Sequence, residues 1–428
     1  MREMKDSGIE WIGEIPKDWS LKKGRYLFVQ RNDRGNDENL QLLSPSQKFG
    51  VIPQSLLEDL TTQTTVKLKE NTDLSTLKTV HKGDFCISLR SFQGGFEYSE
   101  YEGVVSPAYQ IFYKKEDLVN TYYKYIFKDS SFISKMNSYT MSLRDGKNIS
   151  YFDFGNTYLP LPTVCEQQQI ADYLDTQCSE IDATAEDIQK EISLLEEYKK
   201  SVITEAVMKG LNPDAEMKDS GIKWIGKIPI NWQAVNPRWL FAQRKDRAKK
   251  GMEQYTASQK YGVISQKDYM NRIGGSIVTV QKDFDILKMV CEGDFVIHMR
   301  SFQGGLEYSK HTGSISSAYV MLIPQKNTGE CRYFKWLFKS ASYINALQST
   351  SNLIRDGQAM RYSNFIQIII PYPPLDEQQQ IADYLDSKCS EIDAIIADKK
   401  RQLDILADYK KSLIYEYVTG KKEVPVHE

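Results

Sequence analysis

EQQQIADYLDTQCSEIDA at 166–183 returns, almost unchanged, as EQQQIADYLDSKCSEIDA at 377–394. On the N-terminal side of each, MKDSGIEWIGEIP at 4–16 returns as MKDSGIKWIGKIP at 217–229, and SFQGGFEYS at 91–99 returns as SFQGGLEYS at 301–309. SQKFGVI at 46–52 matches SQKYGVI at 258–264, and RDG at 144–146 matches RDG at 355–357. Offsets of 213, 210 and 211 residues for the three long matches make the copies collinear, with only small insertions between them. A period this long is not that of a solenoid. The chain is a duplicated module, and what one copy does the other should do again.

Each copy has two parts. From about 1 to 164, and from about 211 to 375, short apolar stretches such as GDFCISLR, SPAYQIFYK and FIQIIIPY read as strands. A helical stretch, TYYKYIFKDSSFISKM or CRYFKWLFKSASYINAL, follows the strands. The second part is different. Leu174, Ile181, Ile188, Leu195 and Val202 recur every seven residues, with Ile170 ahead of them. Leu385, Ile392, Leu406 and Leu413 hold the same rhythm, which Lys399 interrupts. A seven-residue apolar repeat keeps one stripe facing a partner helix. Prolines precede each helix, and Gly210 with Pro213, or Gly420 with Pro425, follows its end.

The fold expected is α+β: two similar globular domains, each followed by a long helix, with the helices packed as an antiparallel coiled coil. The divisions expected are domain 1–164, helix 165–210, domain 211–375, helix 376–420 and tail 421–428. Packing of each helix on its own domain is the other reading of the same stripes.

Composition excludes several classes. With 41% hydrophobic and 26% charged residues the chain can bury real cores. Its 55 Lys and Arg against 57 Asp and Glu argue against a nonspecific polycation, although a phosphate-binding face needs only local positive charge. Cys86, Cys165, Cys178, Cys291, Cys331 and Cys389 are scattered without a CxxC pair and read as reduced thiols. The four histidines, His81, His298, His311 and His427, offer no metal-ligand spacing. No signal core or membrane-length apolar stretch is visible, so a cytoplasmic protein is expected.

Catalytic signatures are missing too. There is no GxxxxGK[ST] phosphate loop. The FQGG at 92–95 and 302–305 lacks the further glycine of a nucleotide-binding fingerprint. PYPPL at 371–375 lacks the Asp or Asn that opens an adenine methyltransferase loop. A non-catalytic protein is expected, with no cofactor of its own.

SGIEWIGEIPKDW and SGIKWIGKIPINW opening each domain, and EQQQIADYLD leading into a helix that carries YKKS (198–201 and 409–412), resemble the specificity subunit of type I restriction–modification systems. The resemblance covers essentially the whole chain. It implies two target-recognition domains on a bipartite double-stranded DNA site, in a bacterial or archaeal cytoplasm. It also implies two methyltransferase subunits bound through the helices, and room for two restriction subunits. S-adenosylmethionine for adenine-N6 methylation, and ATP with Mg, would then be held by those partners.

Phosphate contacts need Lys, Arg, hydroxyls and backbone N–H, while base edges are read by Arg, Lys, Asn and Gln. YLFVQRNDR and WLFAQRKDR offer Arg31, Arg34, Arg244 and Arg247 amid Lys22, Lys23, Arg25, Lys245, Lys249 and Lys250; a solvated charged face is the competing reading. LRSFQGG and MRSFQGG offer Arg90, Ser91, Gln93, Gly94 and Gly95, with Arg300, Ser301, Gln303, Gly304 and Gly305. Two glycines after a strand suit a tight loop, whether it approaches DNA or merely turns the chain. SLRDGKNIS and LIRDGQAMR offer Arg144 and Lys147, with Arg355, Gln358 and Arg361, or else a turn closed by its own salt bridge. Gln47, Lys48, Gln259 and Lys260 of the SQK segments complete the set.

On the helices, Glu166, Gln167, Gln168 and Tyr173 recur as Glu377, Gln378, Gln379 and Tyr384, where a coiled-coil core has no demand for them. A duplicated polar surface suits two copies of a partner; helix capping is the alternative for the two glutamates. Residues 166–209 make roughly 66 Å of helix, which bounds the spacing of two half-sites near 19 base pairs.

Overall fold

The computed structural model describes residues 2–35, 40–61, 74–88, 95–115, 117–139, 149–274, 286–298, 301–350 and 360–425. Packing divides the chain into two compact units, Met1–Ile188 with Arg401–Glu428, and Gln189–Lys400. The sequence reading divides the chain where the long helices begin and end. Packing divides it inside both helices, so each unit holds one globular domain and part of each helix.

In the first unit the opening motif folds on itself, with Met4–Asp6 antiparallel to Glu14–Pro16. That turn buries Trp11, Ile12, Ile15 and Trp19. The apolar stretches then form a four-stranded antiparallel sheet in the order Phe28–Arg31, Gln110–Lys114, Phe85–Ile87, Phe96–Tyr98. Phe28, Phe85, Phe96 and Phe112 project from all four strands into one cluster with Phe127 and Phe154, and Phe112 and Phe154 have centroids 4.7 Å apart. Edge and tilted arrangements suit the ring quadrupoles better than face-to-face stacking. The second unit repeats the sheet with Phe241–Gln243, Val320–Pro324, Phe295–Ile297 and Glu307–Tyr308.

Two expected elements are divided differently. The single helical stretch is two helices, Asn120–Ile126 and Ser130–Ser138, because Asp129 stops the first and caps the second, accepting from the backbone N–H of Ser131 and Phe132 at 2.9 Å. Ser340 does the same between Cys331–Leu337 and Ala341–Ser349. FIQIIIPY is a strand only over Ile370–Tyr372. Upstream, Asn364 Oδ1 accepts from the Arg361 N–H and closes the short helix Tyr362–Phe365.

The long helices run Val164–Lys209 and Leu375–Val418. The first begins at a reciprocal cap, with Thr163 Oγ1 accepting from Glu166 N and Glu166 Oε2 accepting from Thr163 N. The helices stop at Gly210 and Gly420, whose φ values of 78° and 72° are open to glycine at little steric cost.

Both readings of the apolar stripe hold. In the first unit Ile170, Leu174, Cys178 and Ile181 join the domain's own core, and Leu413, Ile414, Tyr417 and Val418 of the second helix enter the same cluster. In the second unit Val202, Ile203, Val207 and Met208 join Ile381, Leu385 and Cys389. The pairing is antiparallel in each unit. Tyr173 meets Tyr417 and Asp182 meets Lys410 in the first. Glu191 meets Lys399 and Asp393 meets Lys199 in the second. The heptad interruption at Lys399 is thus an ion pair between helices.

Candidate nucleic-acid interface

The SQK segment of the first unit is the tip of a hairpin between Leu43–Ser46 and Gly50–Pro53, with Gln47 and Lys48 exposed. Beneath it lies Lys128, just past the Asn120–Ile126 helix. Its Nζ donates to the Gln47 carbonyl at 3.2 Å and to Glu97 Oε2 at 2.7 Å. Burial pushes the Glu97 carboxyl up to about 7, although Lys128 pulls the other way.

The second unit repeats the Lys–Glu pair, but there the lysine reaches the SFQGG segment in place of the SQK tip. Gln259 and Lys260 are exposed at the tip between Tyr255–Ser258 and Gly262–Ser265. Lys339 Nζ donates to the Gly304 carbonyl at 2.9 Å and to the buried Glu307 Oε1 at 2.5 Å. The Gln259 side chain lies so close to Gly304 that an added Cβ would meet its Cδ at 2.7 Å. In the second unit the SQK tip and the SFQGG segment therefore lie together, beside the Lys339–Glu307 pair.

In the second unit SFQGG differs from the tight hairpin loop expected. Ser301–Gly304 makes one helical turn, which Gly305 ends with a φ of 75°. Ser301 is buried, its Oγ accepting from His298 N at 2.9 Å, whereas Gln303 is exposed. Gly95 in the first unit is buried and its carbonyl accepts from Ser88 N. Arg90, Ser91, Gln93, Gly94, Arg144, Lys147, Arg300, Arg355 and Gln358 lie outside the described residues.

The arginines of the first candidate segment separate into two kinds. Arg31 bonds Asp84 through Nε at 2.8 Å and Nη2 at 3.2 Å, and Asp33 through Nη1. Arg244 repeats the fork on Asp294 and Asp246. Burial lowers the affinity of Arg31 for its proton, but the two carboxylates outweigh it and hold the guanidinium above its ordinary value. Asp84 and Asp294 are buried, so these forks are parts of the fold, with the guanidinium N–H groups already engaged. Arg34 and Arg247 are exposed, with one donor each on the carbonyls of Thr76 and Ile286.

The helix starts are more internal than the sequence suggests. Glu166 accepts from Trp19 Nε1 at 3.3 Å and pairs with Arg2 at 2.6 Å, and Glu377 accepts from Trp232 Nε1 at 2.6 Å. Burial opposes ionisation of Glu166, yet Arg2 and Trp19 keep its carboxyl below the ordinary value. Gln167 is fully buried, accepting from Val119 N and donating to the Pro162 carbonyl. Gln378 does the same with Glu330 and Pro373. Tyr173 is partly buried against Tyr417 at 4.6 Å. Gln168 and Gln379 are exposed, and Tyr384 keeps 40% of its surface.

A family model, the type I restriction modification DNA specificity domain, matches this chain twice, over residues 15–194 and 229–404. The chain belongs to that family. It is similar to the putative type I restriction enzyme MjaX specificity subunit of Methanocaldococcus jannaschii, at 23% identity with 96% of each chain covered. The MjaVIII specificity subunit of the same organism is 25% identical over 67% of this chain and 68% of its own length. In fold, the chain is similar to a structure described as showing complex assembly and conformational transition of the type I R-M system, with a TM-score of 0.68 at 13% identity, covering 95% and 99% of the two chains. The HsdS subunit from Thermoanaerobacter tengcongensis gives a TM-score of 0.50 at 13% identity, covering 95% and 98%.

Two features of this specificity subunit escape the sequence reading. Lys128 and Lys339 could have been found as the repeated Lys before each helix cap, in KDSSF and KSASY. Exposed apolar pairs on the helices are the other: Leu194 and Tyr198 are 64% and 50% exposed, and Ile405 and Tyr409 are 60% and 50% exposed. Each pair is spaced i, i+4 on one helix face, off the heptad stripe. Among the described residues, no group of three or more His, Cys, Asp and Glu is placed to hold a metal ion, and no helix is long and apolar enough to cross a membrane.

Proposed function

We propose that this type I specificity subunit reads a bipartite duplex DNA site, one half with each recognition domain, and positions two adenine-N6 methyltransferase subunits on it. One observation carries the reading. An exposed SQK tip, and a lysine paired with a buried glutamate, occur in both units at equivalent residues. Exposed Gln and Lys on a rigid support suit base-edge and phosphate contacts. The repetition suits two half-sites related in sequence and inverted in orientation, with divergent stretches 35–45 and 53–80 against 248–257 and 265–290 tuning them apart.

The methyltransferase subunits would meet the exposed helix residues, Gln168 with Leu194 and Tyr198, and Gln379 with Ile405 and Tyr409. Duplicated apolar anchors suit two copies of one partner, because aromatic and aliphatic side chains carry most interface energy. S-adenosylmethionine would be bound by those subunits, and ATP with Mg by restriction subunits joining the complex. This chain contributes selection without a chemical step, in the cytoplasm where the DNA lies. Co-expression with the partner methyltransferase and single-molecule methylome sequencing tests the reading. A bipartite motif methylated at adenine on both strands, present only with this chain, is the expected result. A stable complex that produces no new methylation would overturn DNA reading and leave a scaffold.

A further inference from the structure

The first unit carries a cavity of about 460 Å³ lined by Leu21, Lys22, Lys23, Arg25, Tyr26 and Tyr158. Lys23 Nζ lies 5.3 Å from the Tyr158 ring centroid, and the Arg25 guanidinium lies 5.1 Å from that of Tyr26. Arg25 Nη1 donates to Asn156 Oδ1 at 2.9 Å, and Lys115 Nζ donates to the Arg25 carbonyl at 3.2 Å, adding a fourth cation. Among the described residues, none of these four cations has a carboxylate at ion-pair distance. Unpaired exposed cations gathered in one cleft focus a positive potential that attracts an anion.

The second unit shows that the fold does not require it. Its matching strand keeps the same register, Val235 opposite Ile370 as Lys22 stands opposite Leu159. Yet Lys22, Lys23, Lys115 and Tyr158 are replaced by Val235, Asn236, Gln325 and Ile369, and only Arg25 is retained, as Arg238. Three of the four cations, and the aromatic wall that holds Lys23, belong to one copy. Asn156, the acceptor for Arg25, ends the helix Tyr151–Asn156.

We propose that the Lys22–Lys23–Arg25 pocket binds backbone phosphates of duplex DNA beside the half-site of the first domain, giving that domain a longer DNA contact than the second. The proposal rests on the DNA-reading function above. Lys and Arg supply charge-assisted donors to phosphate oxygens, and Tyr26 and Tyr158 offer flat apolar walls to the sugars. The contact carries no base information, so it strengthens binding without changing the motif.

The test uses the full chain complexed with its methyltransferase partner on a duplex carrying the motif. Affinity is measured across a KCl series for the wild type, K22A/K23A/R25A, K22A/K23A and R238A. Each lost phosphate contact removes roughly 0.9 from the slope of log K against log [salt]. The triple variant is expected to have a slope shallower by about 2 to 3 and the double variant by about 2, against about 1 or less for R238A. The methylated motif is expected to stay the same. Unchanged slopes in folded triple and double variants would overturn the pocket, as would capture of inorganic phosphate there with no effect on DNA. Wild-type complex that binds duplex without salt dependence would overturn the parent reading itself, a separate outcome.

Discussion

Lys410 Nζ lies 2.6 Å from the Asp182 carboxylate, joining the YKKS motif of the second helix to the SEIDA motif of the first. In the other unit Lys199 and Asp393, the equivalent residues, meet at 2.6 Å with the motifs exchanged between helices. Each sequence copy thus supplies one acid and one base, and antiparallel pairing satisfies both.

These pairs align the helices more than they hold them. Asp182 and Asp393 are about 60% exposed, and pairs of that kind contribute about 0.2–1 kcal/mol. A double-mutant cycle of Asp182→Asn and Lys410→Met, followed by urea unfolding, is expected to give a coupling inside that range. A coupling above about 2 kcal/mol would mean that the pair is far better desolvated than its exposure shows.

Gln378→Leu separates a structural from a partner-binding glutamine. The substitution leaves the Glu330 N–H and Pro373 carbonyl without their partner in a buried setting. A loss of about 1–3 kcal/mol of stability is expected, with methyltransferase affinity of the folded protein unchanged. Pull-down titration at a temperature well below the melting point checks it, and a selective loss of partner binding would return Gln378 to the interface. Leu194→Asp and Ile405→Asp are expected to behave oppositely, weakening partner binding while stability changes by about 0.5 kcal/mol or less.

Arg244 and Lys260 make a second contrast. Arg244→Met strands the buried Asp294 and is expected to cost about 3–5 kcal/mol without altering the preferred bases of whatever folds. Lys260→Ala, at an exposed hairpin tip, is expected to leave thermal stability within about 0.5 kcal/mol. Its effect should fall on the affinity of one half-site, measured by methylation of duplexes with single-half-site mismatches. Equal effects on both half-sites would contradict assignment of this tip to one of them.

Glu97 predicts a pH dependence. Its folded-state value of about 7 stands above the ordinary 4.5, so the folded chain holds a proton that the unfolded chain releases. The associated stability is full below pH 4.5 and is lost as the pH rises to about 7. Glu97→Gln, which stays neutral and keeps an acceptor for Lys128, is expected to flatten the stability profile in that window by a few kcal/mol, on the order of the shift at 1.36 kcal/mol per unit. Parallel wild-type and variant profiles between pH 4.5 and 7 in urea titrations would remove Glu97 from the account.

Period and duplication were legible because they are properties of residue order. The heptad at Leu174, Ile181 and Ile188, the glycine stops and the repeated motifs made two domains and two long helices readable without coordinates. Side-chain partners were not legible. Arg31 and Lys48 look alike as exposed-type cations in basic stretches, yet Asp84, far along the chain, engages one of them while the other stands at a tip. Gln167 and Gln168 are neighbours of the same type, but helical rotation of 100° per residue buries one and exposes the other.

Residue order alone thus settled the duplicated architecture and which residue types each repeated segment carries. Local periodicity and capping act over a few residues and need no knowledge of the rest of the chain. Which of those residues are free to act was settled only when the chain folded in three dimensions. Burial and pairing depend on groups brought together from distant positions, as Glu97 meets Lys128 and Tyr122 donates to the Val418 carbonyl at 2.8 Å.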